Sequence, residues 1–156
     1  MKKLRITTTL AGLLILGAAL GPAFAGDSFY GKVTEVKSGG LLILDSGDGQ
    51  MELQLVGIDV PQEGPVAAQA RAFVSNLVLG KNARMRADHR LPDGPMLARL
   101  FTDDPVTGIR EVAVEMVRAG LARRQADYDF KYGELAAAEK DARAAQRGLW
   151  ASSEPQ

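Results

Sequence analysis

Few residues in this chain of 156 are equipped for chemistry. It has no cysteine and one histidine, which excludes disulfides, thiolate nucleophiles, Cys-ligated zinc and multi-histidine metal sites. His89 lacks a carboxylate and nucleophile at relay spacing and reads as a surface residue beside a turn. Asp59, in Ile58-Asp59-Val60-Pro61, ends an apolar run. It reads as a turn or cap residue, with a metal ligand as the sharper alternative, because hard cations take oxygen donors. A basic stretch holds Lys81, Arg84, Arg86, His89 and Arg90. The sharper reading is a polyanion-binding strip, with Arg84 and Arg86 on one strand face; the other is a solvated face. Arg123-Arg124 either complements a helix end or sits in solvent. Tyr128, Phe130, Tyr132 and Trp150 supply either a stacking surface for bases or the packing of a helix on the body of the fold.

These residues need elements to hold them. Phe29 to Val36, Leu41 to Leu44 and Gln50 to Ile58 are β-forming runs, separated by Ser38-Gly39-Gly40 and Asp45-Ser46-Gly47-Asp48-Gly49. In the third run Met51, Leu53 and Leu55 alternate with Glu52 and Gln54, as a half-buried strand requires. The period then changes. Pro65 opens a helix carrying Ala70, Phe73, Val74, Leu77 and Val78 on one face, and Gly80 stops it. Ala83 to Asp88 and Met96 to Thr102 are two more strands around a turn at Leu91-Pro92-Asp93-Gly94-Pro95. Val112 to Val117 is helical, with Gly120 as its C-cap, and Tyr132 to Arg147 is an alanine-rich helix closed by Gly148-Leu149-Trp150. The order β-β-β-α-β-β-α-α predicts an α+β, mainly β domain. Its centre is a five-stranded OB-fold barrel with one inserted helix and two C-terminal helices.

Hydrophobic residues make up 46% and charged residues 24%, which fits one globular domain and excludes a disordered, collagen-like or disulfide-dense chain. Lys2, Lys3 and Arg5, the apolar Leu10 to Leu20 and Ala23-Phe24-Ala25 form a three-part secretory signal. Residues 1–25 are therefore expected to be removed, leaving a domain over 26–150, a frayed tail over 151–156 and no membrane span. Three basic residues leave with the signal, so 16 Lys and Arg face 19 Asp and Glu, a net of −3. A general nucleic-acid binder would be basic.

Six pieces occur in a telling order. They are Leu55 to Pro61; Gly64-Pro65 with Ala67 and Ala68; Gly80-Lys81; Asp93-Gly94 with Leu97-Ala98; Met116 to Ala122; and Ala138-Glu139, Ala142-Arg143 and Gly148-Leu149-Trp150. Together they resemble the staphylococcal nuclease (thermonuclease-like) family from Phe29 to Trp150. The resemblance implies a calcium-dependent phosphodiesterase acting on DNA and RNA. Such a site binds its metal with carboxylates, sets a glutamate beside the attacking water and grips phosphate with two arginines.

Carried over residue by residue, most of that set is replaced. The first metal aspartate falls at Gly40 and the third-strand arginine at Gln54. The glutamate falls at Gln62, the second arginine at Pro95 and a helix-start asparagine at Ala113. Asp59 alone is kept, with Glu63 one position beyond Gln62 as a weak substitute. Arg99 shares strand parity with Pro95, but at ~3.3 Å per residue it lies roughly 13 Å away. The expectation is an exported, catalytically degenerate binding or accessory module without a metal cofactor, in the periplasm or the medium. Its partner would be nucleic acid or an envelope protein. The alternatives are a calcium-dependent endonuclease with a displaced site around Asp59 and Glu63, and a protein-interaction module of the cell envelope.

Overall fold

The computed structural model describes residues 28–106, 108–126, 128 and 133–151. The signal segment 1–25, the tail beyond residue 151, Phe130 and Tyr132 lie outside the described residues.

Strand β1 (Ser28–Val36) pairs antiparallel with β2 (Leu41–Asp45), and β2 with β3 (Gln50–Leu55). Strand β5 (Asn82–Arg90) pairs with β1, and β6 (Met96–Asp104) pairs with β5. A parallel pairing of β3 with β6, Gln54 opposite Leu97, joins the two ends. Five strands thus close a ring, β3-β2-β1-β5-β6, which is the expected barrel. Closure leaves none of the five with a fully open edge.

Alternation fixes which side chains enter the barrel. Val33, Leu42, Leu44, Leu53, Met85 and Leu100 are fully buried inside it. Arg84 and Arg86 lie between the buried Ala83, Met85 and Ala87, so they face outward.

Helix α1 (Gly64–Val78) has a proline, Pro65, in its first turn and buries Ala70, Val74 and Val78, one residue per turn. Full burial of a valine side chain contributes about 1.5–3 kcal/mol, so this stripe sets how the helix lies on the barrel. Helix α2 (Val112–Arg118) packs beside α3 (Glu134–Ala144), and a 3₁₀ turn at Gly148–Trp150 follows. No helix among the described residues is long and apolar enough to cross a membrane.

Three short strands depart from the expected pattern. The run ending at Ile58 splits, because Gly57 takes a φ of +77° and turns the chain. Beyond it, β4 (Ile58–Asp59) leaves the barrel sheet and pairs with β8 (Arg123–Arg124). Strand β7 (Gly108–Glu111) adds to β6 after the break at Asp104. The last helix is shorter than expected and starts at Glu134.

Candidate functional site

The outward face of β3 begins the site. Leu53 and Leu55 point inward, so Gln54 points out. Gly40, at the end of the β1–β2 turn, accepts a hydrogen bond from the Leu55 amide at 2.8 Å. Its neighbourhood is filled: a Cβ built on Gly40 would stand 3.0 Å from Nε2 of Gln54, and one on Gly39 would stand 2.8 Å from both Ala70 and Val60.

Asp59 is held by the β4–β8 bridge, where it pairs with Arg123. The Gln125 amide donates to the Gly57 carbonyl at 2.9 Å, and its side-chain Nε2 donates to Asp59 Oδ1 at 2.7 Å. Gln62 folds back, its Nε2 donating to the Val60 carbonyl at 2.9 Å. On the other wall, a bulge between Ala87 and His89 shifts the β5 register and sets His89 opposite Leu97. His89 Nδ1 lies 3.0 Å from the Asp88 carboxylate. Burial raises the Tyr128 phenol pKa, with the nearby Asp88 charge adding to it.

Gln54, Asp59, Gln62, His89, Gln125 and Tyr128 line one cleft of about 300 Å³ with an apolar floor that includes Val60 and Leu97. Three of the six family positions, Gln54, Asp59 and Gln62, therefore converge, and Gly40 abuts Gln54. Pro95 does not line the cleft; it precedes β6 and accepts a bond from the Leu91 amide. Glu63 is exposed at the N-cap position of α1, also outside the lining. Ala113 is buried in the first turn of α2.

The cationic candidates divide. Lys81 donates through Nζ to the Asn76 and Leu77 carbonyls at 3.3 and 2.9 Å, so it completes the end of α1. Arg84 stacks on Phe101, 4.8 Å from the ring centroid, and Arg86 faces Arg99 on the same sheet face. Arg90 is exposed beyond the bulge. Arg99 donates to the two Glu111 carboxylate oxygens through Nε and Nη2, and that contact raises its pKa. Trp150 packs between Arg143 and Arg123 at 4.0 and 5.3 Å, which gives it a packing role.

Gln125 is the cleft residue that sequence reasoning missed, and His89, exposed as expected, lines the cleft as well. The bulge that places His89 leaves no residue-type signal, and Gln125 reaches Asp59 only through a two-residue bridge. The described donor set does not fit a calcium ion: among the described residues Asp59 is the one carboxylate in the lining, and one of its oxygens already accepts a hydrogen bond. Among the described residues no three His, Asp or Glu side chains gather closely enough to hold a metal.

Barrel, helices and cleft agree with what comparison finds. Residues 52–152 match the family described as staphylococcal nuclease homologue, so the chain belongs to that family. The match starts in β3; β1 and β2 join the same barrel through their pairing. A rice protein (Oryza sativa subsp. japonica) described as "Probable staphylococcal-like nuclease CAN1" is 30% identical over 105 residues, which is 67% of this chain. The chain spans about 30% of the length of that relative.

Proposed function

We propose that this chain is an exported, catalytically degenerate nuclease-like domain that works as a binding or accessory module without a metal cofactor. One observation carries the reading: among the described residues, the cleft at the family's site positions is lined by three amides, one histidine, one phenol and a single carboxylate, with no lysine or arginine. Phosphodiester hydrolysis develops negative charge that a metal and guanidinium groups must meet at fixed positions. Glutamine at 54 and 62 supplies neither a cation nor a base, and Gly40 has no side chain to offer. Glu63, the remaining substitute, points to no rescue, because it stands outside the cleft lining. The basic-then-apolar start with Ala23-Phe24-Ala25 supports export.

Calcium titration followed by thermal unfolding tests the reading, since any ligand of the native state must raise its stability. The midpoint is expected to stay constant up to millimolar calcium. A saturable rise that Asp59→Asn removes would restore the calcium-dependent nuclease as the better reading.

A further inference from the structure

We infer that the cleft around Asp59 binds an uncharged, hydroxyl-rich ligand of the oligosaccharide class. The inference rests on the non-hydrolytic reading above and names what the altered cleft takes.

Charge decides first. Among the described residues, a phosphate entering the cleft meets the Asp59 carboxylate and no lining lysine or arginine. Arg123 borders Asp59 in the adjoining hollow, but its guanidinium lies over Trp150, 5.3 Å from the ring centroid. Arg84 and Arg86 belong to the sheet face of Phe101, outside this lining. The described lining therefore offers no lysine or arginine for the counterion release that drives binding of phosphate chains.

The hydrogen-bonding inventory decides second. Gln125 Nε2 is spent on Asp59 Oδ1, and Gln62 Nε2 on the Val60 carbonyl. Among the described residues this leaves Asp59 Oδ2 and the side-chain carbonyl oxygens of Gln62 and Gln125 as acceptors. Gln54 adds an amide that both donates and accepts, and His89 keeps Nε2 after its Nδ1 contact with Asp88. Such a set is rich in acceptors. Hydroxyl groups, each able to donate and accept, complete it without bringing charge, and planar amides beside a carboxylate match neighbouring hydroxyls on a ring.

Shape is consistent with this. Leu97 and Tyr128 give the cleft apolar surface against which the C–H face of a sugar ring packs, and about 300 Å³ is at the small end of ligand-sized clefts. The cleft also uses β3, the strand face on which OB-folds bind oligosaccharides and oligonucleotides.

Calorimetric titration of the full purified chain with three neutral probes, chitotetraose, cellotetraose and maltotetraose, tests the inference, with tetrathymidylate as the charged comparison. At least one neutral probe is expected to bind saturably, with an affinity unchanged between about 50 and 200 mM salt. Gln125→Ala and Gln62→Ala should each weaken it about tenfold, the loss typical of one hydrogen-bonding group, while Arg84→Ala leaves it unchanged. Circular dichroism confirms that each variant is folded. Failure of all three neutral probes, or binding that both glutamine variants leave intact, would overturn the inference. So would salt-sensitive tetrathymidylate binding lost in those variants. None of these results touches the non-hydrolytic reading, which falls on calcium stabilisation lost in Asp59→Asn or on cleavage of DNA.

Discussion

Gln125 holds Asp59 from across the chain: its Nε2 donates to Asp59 Oδ1 at 2.7 Å although 66 positions separate them. The contact is possible because β4 and β8 form a two-residue bridge. The acid that the family resemblance assigns to a metal is here one end of a side-chain hydrogen bond. Removing Gln125 should cost stability, but modestly, since Asp59 is exposed. Gln125→Ala is expected to lower the unfolding free energy by about 1 kcal/mol. Urea denaturation of the single and double variants with Asp59→Asn should show coupling between the two sites, at least about 0.5 kcal/mol. Strict additivity would mean that the contact contributes nothing.

The Arg99–Glu111 pair should matter more. Glu111 is buried at the start of α2, and Arg99 grips it from β6 through Nε and Nη2. Arg99→Met leaves that carboxylate buried without its partner and is expected to cost about 3 kcal/mol. Adding Glu111→Leu should recover a large part of the loss, because the unpaired charge goes with it. Chemical denaturation of the three variants checks both steps.

The C-terminal turn depends on a close backbone approach. Gly120 has a φ of +72°, and a Cβ there would stand 2.1 Å from the Arg147 carbonyl oxygen. Its own carbonyl accepts the Leu149 amide at 2.8 Å. Gly80 has nearly the same φ, +74°, but open space around it. Gly80→Ala should therefore cost only the left-handed strain, about 1–2 kcal/mol. Gly120→Ala should exceed that and detach the Trp150 turn, visible as a red-shifted tryptophan emission. Equal costs at both positions would refute this docking.

Tyr128 makes stability sensitive to alkali. Burial lifts its phenol above the ordinary value near 10, so the folded state holds that proton more tightly than the unfolded chain does. The resulting contribution is fully present below the ordinary value and is lost as pH rises through the folded one. Denaturation midpoints should fall above about pH 10 in the native sequence and fall less in Tyr128→Phe. Ultraviolet titration of the two proteins should assign the late-ionising phenol to Tyr128.

Much of the fold was legible because it is written in periods. The alternation over Gln50 to Leu55 and the three-to-four spacing from Ala70 to Val78 survive as β3 and α1 with boundaries shifted little. Gln54 was also placed correctly as an outward residue, since parity alone decides that. The rest depends on register. Nothing local in Ala87-Asp88-His89 announces a bulge, yet the bulge sets His89 beside Leu97 in the cleft wall. The β4–β8 bridge is two residues long, too short to carry a periodic signal, and it alone aligns Gln125 with Asp59. Lys81 looked like part of a strip with Arg84, but the open carbonyls at the end of α1 draw its ammonium away.

The proposed loss of hydrolysis is tested most directly by incubating homogeneous protein with single-stranded DNA in millimolar calcium and resolving the products by size. The DNA is expected to stay full-length, with or without EGTA. Shortened products that EGTA prevents and that Asp59→Asn abolishes would contradict the non-hydrolytic cleft described above.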